Sequence, residues 1–306
     1  MRIGLVSDIN KIRVQITNDS IYILSPNENL KMEFAAQYDF LSVSYTYTPN
    51  FIPGNNDDVL KGETKNRGLG VNLFFSRIFG RMSLQSTEGY YLENTRDLYP
   101  NYPEGTFLLY GTMKKTRLNM ELGFNVNSNF SYKAYTVFNE RQKKSCGSFI
   151  PRIIYSKNKF EQHDDGSNHE RTDDKLTISG NYIHTFVIRK HTYITFGIGI
   201  GGGVTYIEDK DDNETNPYKN YKNSLVQGEI LLQIGHNSDH LFYGYSAFTR
   251  ATGEVDTEID NSFSDQNVVS QFYLGYRFNP PKLLVKTFDS VKSVFLRDKE
   301  EDLVAP

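Results

Sequence analysis

The 306-residue sequence contains no tryptophan, only one cysteine and no apolar run long enough for a membrane-spanning helix. The single cysteine, Cys146, excludes an internal disulfide framework and a cysteine-built zinc site. The longest uncharged segment, 191–207, is interrupted by five glycines, whereas a membrane helix needs about 20 consecutive apolar residues. The net charge of −3 offers no basic surface of the kind that binds nucleic acid. The composition therefore excludes a helical membrane protein and argues against a nucleic-acid-binding protein.

Aromatic residues are abundant instead, with 21 tyrosines and 21 phenylalanines, and many lie where apolar and polar residues alternate. In 194–206, for example, Ile, Phe and Val alternate with Thr and Gly. Successive side chains of a β-strand point to opposite faces, so such a segment has one apolar face and one polar or small face. The alternation predicts strands at 30–35, 41–48, 66–76, 80–92, 117–127, 129–138, 147–158, 175–188, 194–206, 223–236, 240–252 and 266–279.

The length of these strands narrows the fold class. Strands of soluble proteins average about 5–6 residues, whereas a tilted strand that crosses a bilayer needs about 9–11. Most of the predicted strands have at least ten residues. Two all-β architectures fit: a transmembrane barrel with its apolar face outside, and a soluble lipocalin-like barrel with its apolar face inside. The alternation alone does not distinguish them.

The connections favour the transmembrane barrel. After residue 147 they alternate between long ones, at 159–174, 208–222 and 253–265, and short ones, at 189–190 and 237–239. Barrels of the outer membrane have short periplasmic turns and longer extracellular loops. This pattern predicts a transmembrane antiparallel up-and-down β-barrel in the outer membrane of a diderm bacterium. Before residue 147 the alternation fails, so the prediction is about 12 strands, within a range of 10–14.

The long connections are also acidic. The segments 161–174, 208–216 and 252–266 contain sixteen acidic and two basic residues. A composition with so much charge and so little apolar surface does not fold by itself. We therefore expect these three segments to be solvent-exposed loops.

The two ends of the chain differ from the predicted barrel, 30–279. The N-terminal segment, 1–29, begins with an apolar run too short for a secretory signal, although an exported barrel is synthesised with one. Pro280 and Pro281 end the strand pattern and begin a C-terminal tail, 280–306, on the periplasmic side. In this tail a short amphipathic helix is predicted, which packs on the periplasmic rim, lies at the lipid headgroups or docks a partner. Its apolar face contains Leu284, Phe288, Val291 and Phe295, and its basic face contains Lys282, Lys286 and Arg297.

Two motifs imitate ligand-binding loops without their context. Gly197–Gly202 matches a dinucleotide fingerprint, but the strand alternation continues after it where a helix is required. These glycines are better explained as making room on the inner face of a crowded barrel wall. Asp209–Asn213 resembles the start of a calcium loop, but Glu214 stands where the loop requires glycine. We therefore predict no cofactor and no metal site.

One pair of residues suggests an enzyme. His236 and Ser238 are neighbours in sequence, and lipid-cleaving barrels use a serine activated by a histidine. The pair lies in a predicted short turn, however, which is the wrong rim for chemistry on the outer leaflet. A polar hairpin turn explains these residues better, and no catalytic residue is predicted with preference.

The inner face of the predicted barrel contains charges of both signs, which either pair across the lumen or line an aqueous path. The inward positions also include three bulky aromatic residues, Phe242, Phe248 and Tyr273. Because such side chains occupy space in a narrow barrel, a plugged lumen is at least as well supported as an open one. The predicted lumen-facing polar residues are Arg117, Glu121, Gln227, Glu229, Gln233, Arg250, Gln271 and Arg277.

Several short motifs stand out in the sequence: Phe130, Ser131, Tyr132, Gln142, Lys143, Ser145, Gly147 and Ser148, together with 61–64, 89–91 and 276–278. These motifs resemble the domain-of-unknown-function family 4421. The resemblance implies an outer-membrane β-barrel of Bacteroidota-type bacteria with no established activity and no catalytic residues. Lys133 and Cys146 stand where the family pattern has Arg and Ala, and the latter suggests that Cys146 is a small packed residue.

Three functions remain open at this point. The first is a non-enzymatic outer-membrane barrel that forms a narrow channel or a scaffold in an envelope complex. The others are a lipid-acting hydrolase that uses His236 and Ser238 and a soluble barrel that binds an apolar ligand. The expected partners are outer-membrane lipid and lipopolysaccharide. Other envelope proteins could bind the basic turn at 141–144 or the helix at 282–297.

Overall fold

The computed structural model describes residues 1–9, 11–17, 20–138, 140–164, 167–211, 218–255, 265–282 and 285–290. The strands are β1 (Arg2–Ile9), β2 (Ile12–Thr17), β3 (Ser20–Ser25), β4 (Lys31–Tyr38), β5 (Leu41–Tyr47), β6 (Lys65–Phe75), β7 (Ile78–Leu92), β8 (Leu108–Phe124), β9 (Cys146–Asp164), β10 (Ser167–Arg189), β11 (Thr192–Asp211), β12 (Tyr218–Asn237), β13 (Leu241–Val255) and β14 (Asp265–Tyr276). Three short helices are described: α1 (Asp58–Lys61), α2 (Thr95–Leu98) and α3 (Tyr132–Thr136).

Twelve of these strands form a closed antiparallel ring. From β4 to β14, omitting none, each strand pairs with the next along the chain, and β1 closes the ring by pairing with both β14 and β4. The hairpin β2–β3 lies outside the ring and joins the end of β7 through Leu24 and Ser25. Closure leaves no unpaired strand edge, which is what a bilayer requires of a sheet that spans it. The predicted barrel of about 12 strands is confirmed.

The predicted N-terminal boundary of the barrel, residue 30, is wrong. The barrel begins with β1, which is paired along its whole length from Arg2, opposite Gly275, to Ile9, opposite Val268. Ile3 and Leu5 are exposed on the outside, as on the other strands. The segment is too short and too interrupted by polar residues for its alternation to stand out in the sequence.

The apolar side chains of the barrel point outward. On β12, Val226, Ile230 and Ile234 are about half exposed, whereas Gln227 and Gln233, on the other face, are buried. Such an exterior suits hydrocarbon, and the outward apolar residues of β12 from Val226 to Ile234 span about 20 Å along the barrel axis when the strand is tilted by about 40°. The soluble lipocalin-like alternative is wrong because its apolar face would point inward. The same outward apolar face is seen in Phe34, Val43, Leu69, Met82, Leu84, Met120, Leu122, Ile153, Ile178, Phe196, Ile198, Phe272 and Leu274.

The two ends of the barrel differ. We call one the short-turn end, because tight turns follow β4, β6, β10 and β12 there. The connection between β8 and β9, residues 125–145, lies at this end as well and is the one long segment among them. The segments that leave β1, β5, β7, β9, β11 and β13 lie at the opposite end, which we call the loop end.

The predicted strand at 129–138 is wrong. Residues 125–145 form a folded connection that contains α3. Alternating apolar and polar residues, from Phe130 to Lys133, imitate a strand, but Ser131 caps the helix by accepting a hydrogen bond from the amide of Ala134 at 3.1 Å. Apart from this connection, consecutive strands that meet at the short-turn end are joined by tight turns.

The described parts of the predicted acidic loops are strands, whereas 165–166, 212–217 and 256–264 lie outside the described residues. β9 continues to Asp164 and β10 begins at Ser167, while β11 continues to Asp211 and β12 begins at Tyr218. These extensions continue the backbone hydrogen-bond pairing of the membrane-spanning strands. Basic side chains also neutralise some of the acidic ones. Lys159, for example, lies 2.9 Å from a carboxylate oxygen of Glu161 and 3.1 Å from one of Glu170. Strands β9–β12 therefore form a tall wall at the loop end.

The predicted C-terminal helix is described at 285–290, which are helical. Phe288 packs edge-on against Tyr38, with ring centroids 4.8 Å apart, and lies 5.2 Å from the ring of Phe40 at the β4–β5 turn. The tail therefore contacts the short-turn rim. Lys282 and Lys286 are exposed. Leu284, Val291, Phe295 and Arg297 lie outside the described residues. None of the described helices combines the length and apolar character that a membrane-spanning helix requires.

The outward apolar band makes a direct stability prediction. Replacing Ile230, at the middle of the band on β12, by Lys should lower the free energy of unfolding by about 2–4 kcal/mol, because a charge at the bilayer midplane loses its hydration. The control Ser224→Lys, exposed on the same strand towards the loop end, should cost about 0–1 kcal/mol. Denaturant unfolding in lipid vesicles measures both values, and equal costs would contradict the outward orientation.

Candidate functional site

The connection 125–145 enters the lumen at the short-turn end, and we call it the plug. The ring of Tyr132 stacks on Phe79 with centroids 3.7 Å apart, and the ring of Phe138 stacks on Tyr273 at 3.9 Å. All four rings are buried. The plug and the inner wall thus form an apolar core inside the barrel. Its buried members also include Phe74, Phe130, Val137, Ile150, Ile183, Leu231 and Phe242.

Hydrogen bonds fold the plug onto itself. The hydroxyl of Ser131 donates to Glu140 at 2.6 Å, and the Ser131 amide donates to Oε1 of Gln142 at 2.7 Å. The side-chain amide of Gln142 donates in turn to the carbonyls of Asn129 at 2.9 Å and Lys144 at 3.1 Å. The plug is therefore a cross-linked loop with a defined shape.

Side chains of the barrel wall clamp the plug. Asn237 donates to the carbonyls of Phe138 at 3.2 Å and Glu140 at 2.8 Å, and Arg277 donates to Oδ1 of Asn237 at 2.6 Å. Arg141 of the plug lies 2.9 Å from Asp239 in the β12–β13 turn. Because these bonds reach polar backbone groups that the lumen would otherwise bury unpaired, they stabilise the inserted conformation.

Glycines in the wall make room for the aromatic rings. A Cβ atom at Gly123 would overlap the ring of Phe79, and one at Gly275 would overlap the ring of Phe242. The predicted role of the glycines of β11 is confirmed in the same way, because a Cβ at Gly199 would overlap the Asn181 side chain. These glycines lie within the paired strand β11, with no helix after them.

A buried charge network lies next to the plug. Arg152 lies 3.4 Å from Glu121 and 2.5 Å from Glu229, and Nε of Arg250 donates to Glu229 at 2.8 Å. Asn181 donates to Glu229 at 2.7 Å. Tyr132 of the plug also approaches Glu121, with its hydroxyl donating at 3.4 Å. Arg152 and Glu229 are almost fully buried, so each depends on the other for its charge to be compensated.

The structure brings together four of the predicted lumen residues: Glu121, Gln227, Glu229 and Arg250. Gln227 joins the network by donating to Glu229 at 2.7 Å. The remaining four lie elsewhere. Gln233 donates to the hydroxyl of Tyr193 at 2.7 Å, Gln271 to Glu33 at 3.0 Å and Arg117 to Asn158 at 3.0 Å, while Arg277 clamps the plug at the rim.

Sequence reasoning missed Arg81, Arg152 and Asn181. All three have the parity of the inward face. On β7, for example, Arg81 is two residues from the buried Phe79, whereas Met82 and Leu84 belong to the outward face. The alternation was therefore a sufficient signal for each.

The plug forms the floor of a cavity of about 390 Å³. Tyr135 and Phe138 of the plug line it from below, and Arg81, Arg152 and Arg250 line its sides. A second cavity of about 40 Å³ shares Arg250 and Asn119 with the first and continues along β8–β14. A separate cavity of about 320 Å³ lies at the short-turn end against the plug, lined by residues such as Arg77, Asn125 and Ser131. The plug thus lies between this cavity and the main cavity.

The family motifs meet at the two ends of the lumen. At the short-turn end, Phe130 and Tyr132 enter the apolar core, and Ser131 and Gln142 cross-link the plug, as described above. Ser145 and Ser148 accept hydrogen bonds from the amides of Val187 and Asn127, both at 2.9 Å. Asn127 donates to the carbonyl of Gly147 at 2.8 Å, Cys146 packs against the apolar core, and Lys143 is exposed.

At the loop end, the motifs at 61–64 and 89–91 contact each other. The hydroxyl of Thr64 donates to the carbonyl of Gly89 at 2.8 Å and accepts from the amide of Asn27 at 2.8 Å. Gly89 has a φ of +89° at a bulge in β7, and a Cβ there would overlap the carbonyl of Glu63, so only glycine fits.

The hairpin β2–β3 is held above this junction. The side chain of Asn94 donates to the carbonyl of Ile21 at 2.7 Å, and Glu93 accepts from Lys11 at 2.7 Å and Ser25 at 2.5 Å. Burial pushes the pKa of the Glu93 carboxyl up, but the hydrogen bonds from Lys11 and Ser25 outweigh it and hold that pKa below its ordinary value. Ionised Glu93 therefore stabilises the docked hairpin.

The geometry of His236 and Ser238 does not support nucleophilic catalysis. The hydroxyl of Ser238 donates to the carbonyl of Leu241 at 2.7 Å within the turn, and the ring of His236 stacks on Tyr243 at 5.3 Å. No hydrogen bond joins the pair among the described residues. Within the same residues, no group of three His, Cys, Asp or Glu side chains could hold a metal ion.

The fold and the polar, plugged lumen define a transmembrane β-barrel of the outer-membrane type. The chain belongs to the family described as domain of unknown function DUF4421, whose model matches residues 1–278.

Three solved structures are similar in fold to the chain. The outer membrane protease OmpT from Escherichia coli is 6% identical, with 90% of this chain and 96% of that chain covered and a TM-score of 0.44. OmpT of Vibrio cholerae is 8% identical over 89% and 95%, with a TM-score of 0.35. The Pseudomonas putida toluene transporter TodX is 8% identical over 90% and 89%, with a TM-score of 0.31. These values carry no argument about activity. No curated protein sequence matches the chain.

The charge network predicts a large cost for removing one partner. Arg152→Gln should lower the free energy of unfolding by about 3–5 kcal/mol, because Glu121 and Glu229 keep buried charges with too little compensation. The control Lys157→Gln breaks an exposed pair with Asp174, 3.5 Å apart, and should cost about 0–1 kcal/mol. Denaturant unfolding of both variants in detergent tests this, and a cost for Arg152→Gln no larger than the control's would contradict it.

The Glu93 contact predicts a pH dependence at the loop end. Because the carboxyl's pKa is lowered on folding, its contribution is present above the ordinary pKa and is lost as the pH falls below about 4. The amides of β3 should then lose protection from hydrogen exchange in the wild type, and Glu93→Gln should remove this pH dependence. The control Glu63→Gln, at an exposed pair with Lys65, should keep it. An unchanged pH profile in Glu93→Gln would refute the assignment.

Proposed function

We propose that this protein is a non-enzymatic barrel of the outer membrane that serves as a closed, membrane-anchored scaffold. The observation behind the proposal is the plug: its aromatic rings stack on the inner wall across the lumen, and the wall clamps the plug through Asn237, Arg277 and Asp239. A barrel closed by its own core has no continuous aqueous path in this conformation. The membrane-embedded strands then serve as an anchor for the surfaces at the loop end and the short-turn end.

The apolar band supports a location in the outer membrane. A closed barrel with short turns at one end and longer segments at the other matches the architecture used there, with the short turns in the periplasm. The partners of the band are then the acyl chains of phospholipid and lipopolysaccharide. The loop end, with the tall wall of β9–β12 and the hairpin β2–β3, faces the exterior.

The short-turn end supports a periplasmic contact. Lys143 and Lys144 of the plug are exposed, as are Lys282 and Lys286 near the helical segment 285–290. Arg141, by contrast, is used internally by its pair with Asp239. An acidic surface of another envelope protein would complement these exposed bases.

A narrow channel is the second candidate, and the cavity above the plug favours it. The cavities of about 390 and 40 Å³ form a polar space inside the barrel, lined by residues such as Arg81, Arg117 and Arg250. Conduction would require the plug to leave its aromatic core. The hydrolase alternative lacks a comparable supporting observation, because Ser238 and His236 serve the turn.

Planar-bilayer recordings test the scaffold against the channel. We expect wild-type protein to be silent, and the double variant Tyr132→Ala/Phe138→Ala to leak ions, because the plug loses both stacked rings. The matched control Phe196→Ala removes an outward-facing ring and should stay silent. Steady conductance by wild-type protein would overturn the scaffold and favour the channel. Silence of the double variant, if it is folded, would show that the plug is not what closes the lumen.

A further inference from the structure

The cavity above the plug has an excess of positive charge on one wall. Arg81, Arg152 and Arg250 line or border it, and the acids among them are Glu121 and Glu229. Glu121 interacts electrostatically with all three arginines. Three cations therefore share two carboxylates in a region with little access to bulk water, where charge interactions are strong.

Several donors of these arginines have no protein acceptor. Among the described residues, Arg81 donates only through Nε, to Asn72 at 3.1 Å, and has no carboxylate within ion-pair distance. Arg250 likewise uses Nε, which donates to Glu229 at 2.8 Å. Nε of Arg152 is buried and unpartnered. The terminal nitrogens of Arg81 and Arg250 are thus available for an acceptor in the cavity.

The opposite wall does not compete for these donors. Its three acids share two bases: Lys31 lies 3.0 Å from both Asp8 and Glu28, and Arg2 pairs with Glu33. Each of these acids therefore already has a base as its partner. The formal charges of the two walls together balance, and the positive excess is local to Arg81, Arg152 and Arg250.

The second, smaller cavity lies towards the loop end and shares Arg250 with the main cavity. It is lined by Arg117 and by Lys175, which lies 3.0 Å from Glu254. An anion that enters from the loop end would pass basic side chains before it reaches the main cavity. Fields of this kind raise the local concentration of ions of the opposite charge.

We propose that the main cavity binds a small oxyanion, a phosphate or a short carboxylate, through Arg81, Arg152 and Arg250. Planar guanidinium groups suit both ions because they can donate two parallel hydrogen bonds to the oxygens. The site goes beyond the scaffold function and does not require conduction, since the plug forms its floor.

Titration calorimetry on the full chain in detergent tests the site, with sodium phosphate and sodium acetate as probes and sodium chloride at matched ionic strength as the reference. We expect saturable binding of at least one oxyanion. Arg81→Gln and Arg250→Gln should each weaken it about tenfold or more, because a charge-assisted hydrogen bond is lost. Phosphate binding alone, or acetate binding alone, identifies which oxyanion the site prefers. The control Arg67→Gln, exposed on the same strand as Asn72, should bind like the wild type.

Two results would overturn the proposal: no saturable binding of either oxyanion, or affinities in Arg81→Gln and Arg250→Gln equal to that of the wild type. The heat-modifiable migration of folded barrels on gels verifies that each variant is folded. If one of these substitutions prevents folding, the affinity of the other variant is compared with that of the wild type. Arg81→Lys, which keeps the charge but loses the planar guanidinium group, is then measured as well. Conductance is a separate measurement, so failure of the anion site and failure of the scaffold are distinguishable.

Discussion

The barrel must satisfy every backbone hydrogen bond within its own ring while it presents hydrocarbon-compatible side chains to the outside. The pairing of β1 with both β14 and β4 meets the first condition, and the outward Ile, Leu, Phe and Tyr residues meet the second. With the apolar residues committed to the exterior, the interior is left with polar and charged side chains. Inside the lumen, the buried charges must therefore be compensated and the space between the walls must be occupied.

Two layers inside the lumen meet these requirements, the plug and the charge network above it. At the short-turn end, the plug supplies the apolar core that the barrel wall alone cannot form, and glycines such as Gly123 and Gly275 leave space for its rings. Above it, Arg152 and Glu229 anchor a buried network that also reaches the plug through Glu121 and Tyr132. The plug and the network support each other, because each covers surface that the other would leave exposed. The family motifs are concentrated at the plug and at the loop-end junction, and not at a catalytic centre.

Period-two alternation was enough to predict the barrel, its approximate strand number and the inward parity of Glu121, Glu229 and Arg250. It failed at 129–138, because a plug that packs in a lumen also has alternating apolar residues, and only tertiary contacts distinguish it from a strand. The composition of the acidic segments was misleading too, because it does not show that the hydrogen-bonded ladder of β9–β12 continues into their described parts. The joining of Arg152 to both Glu121 and Glu229 depends on strand register around the ring, which a single sequence does not contain.

The central claim, that apolar side chains face lipid and polar ones face the lumen, is tested most directly by lipid quenching of tryptophan. The chain contains no tryptophan, so a single substitution gives an unambiguous signal. In vesicles of brominated lipid, fluorescence of an Ile230→Trp variant should be strongly quenched, whereas that of a Phe248→Trp variant, at a residue that lines the cavity, should be unaffected. Quenching of the second variant but not the first would contradict the account.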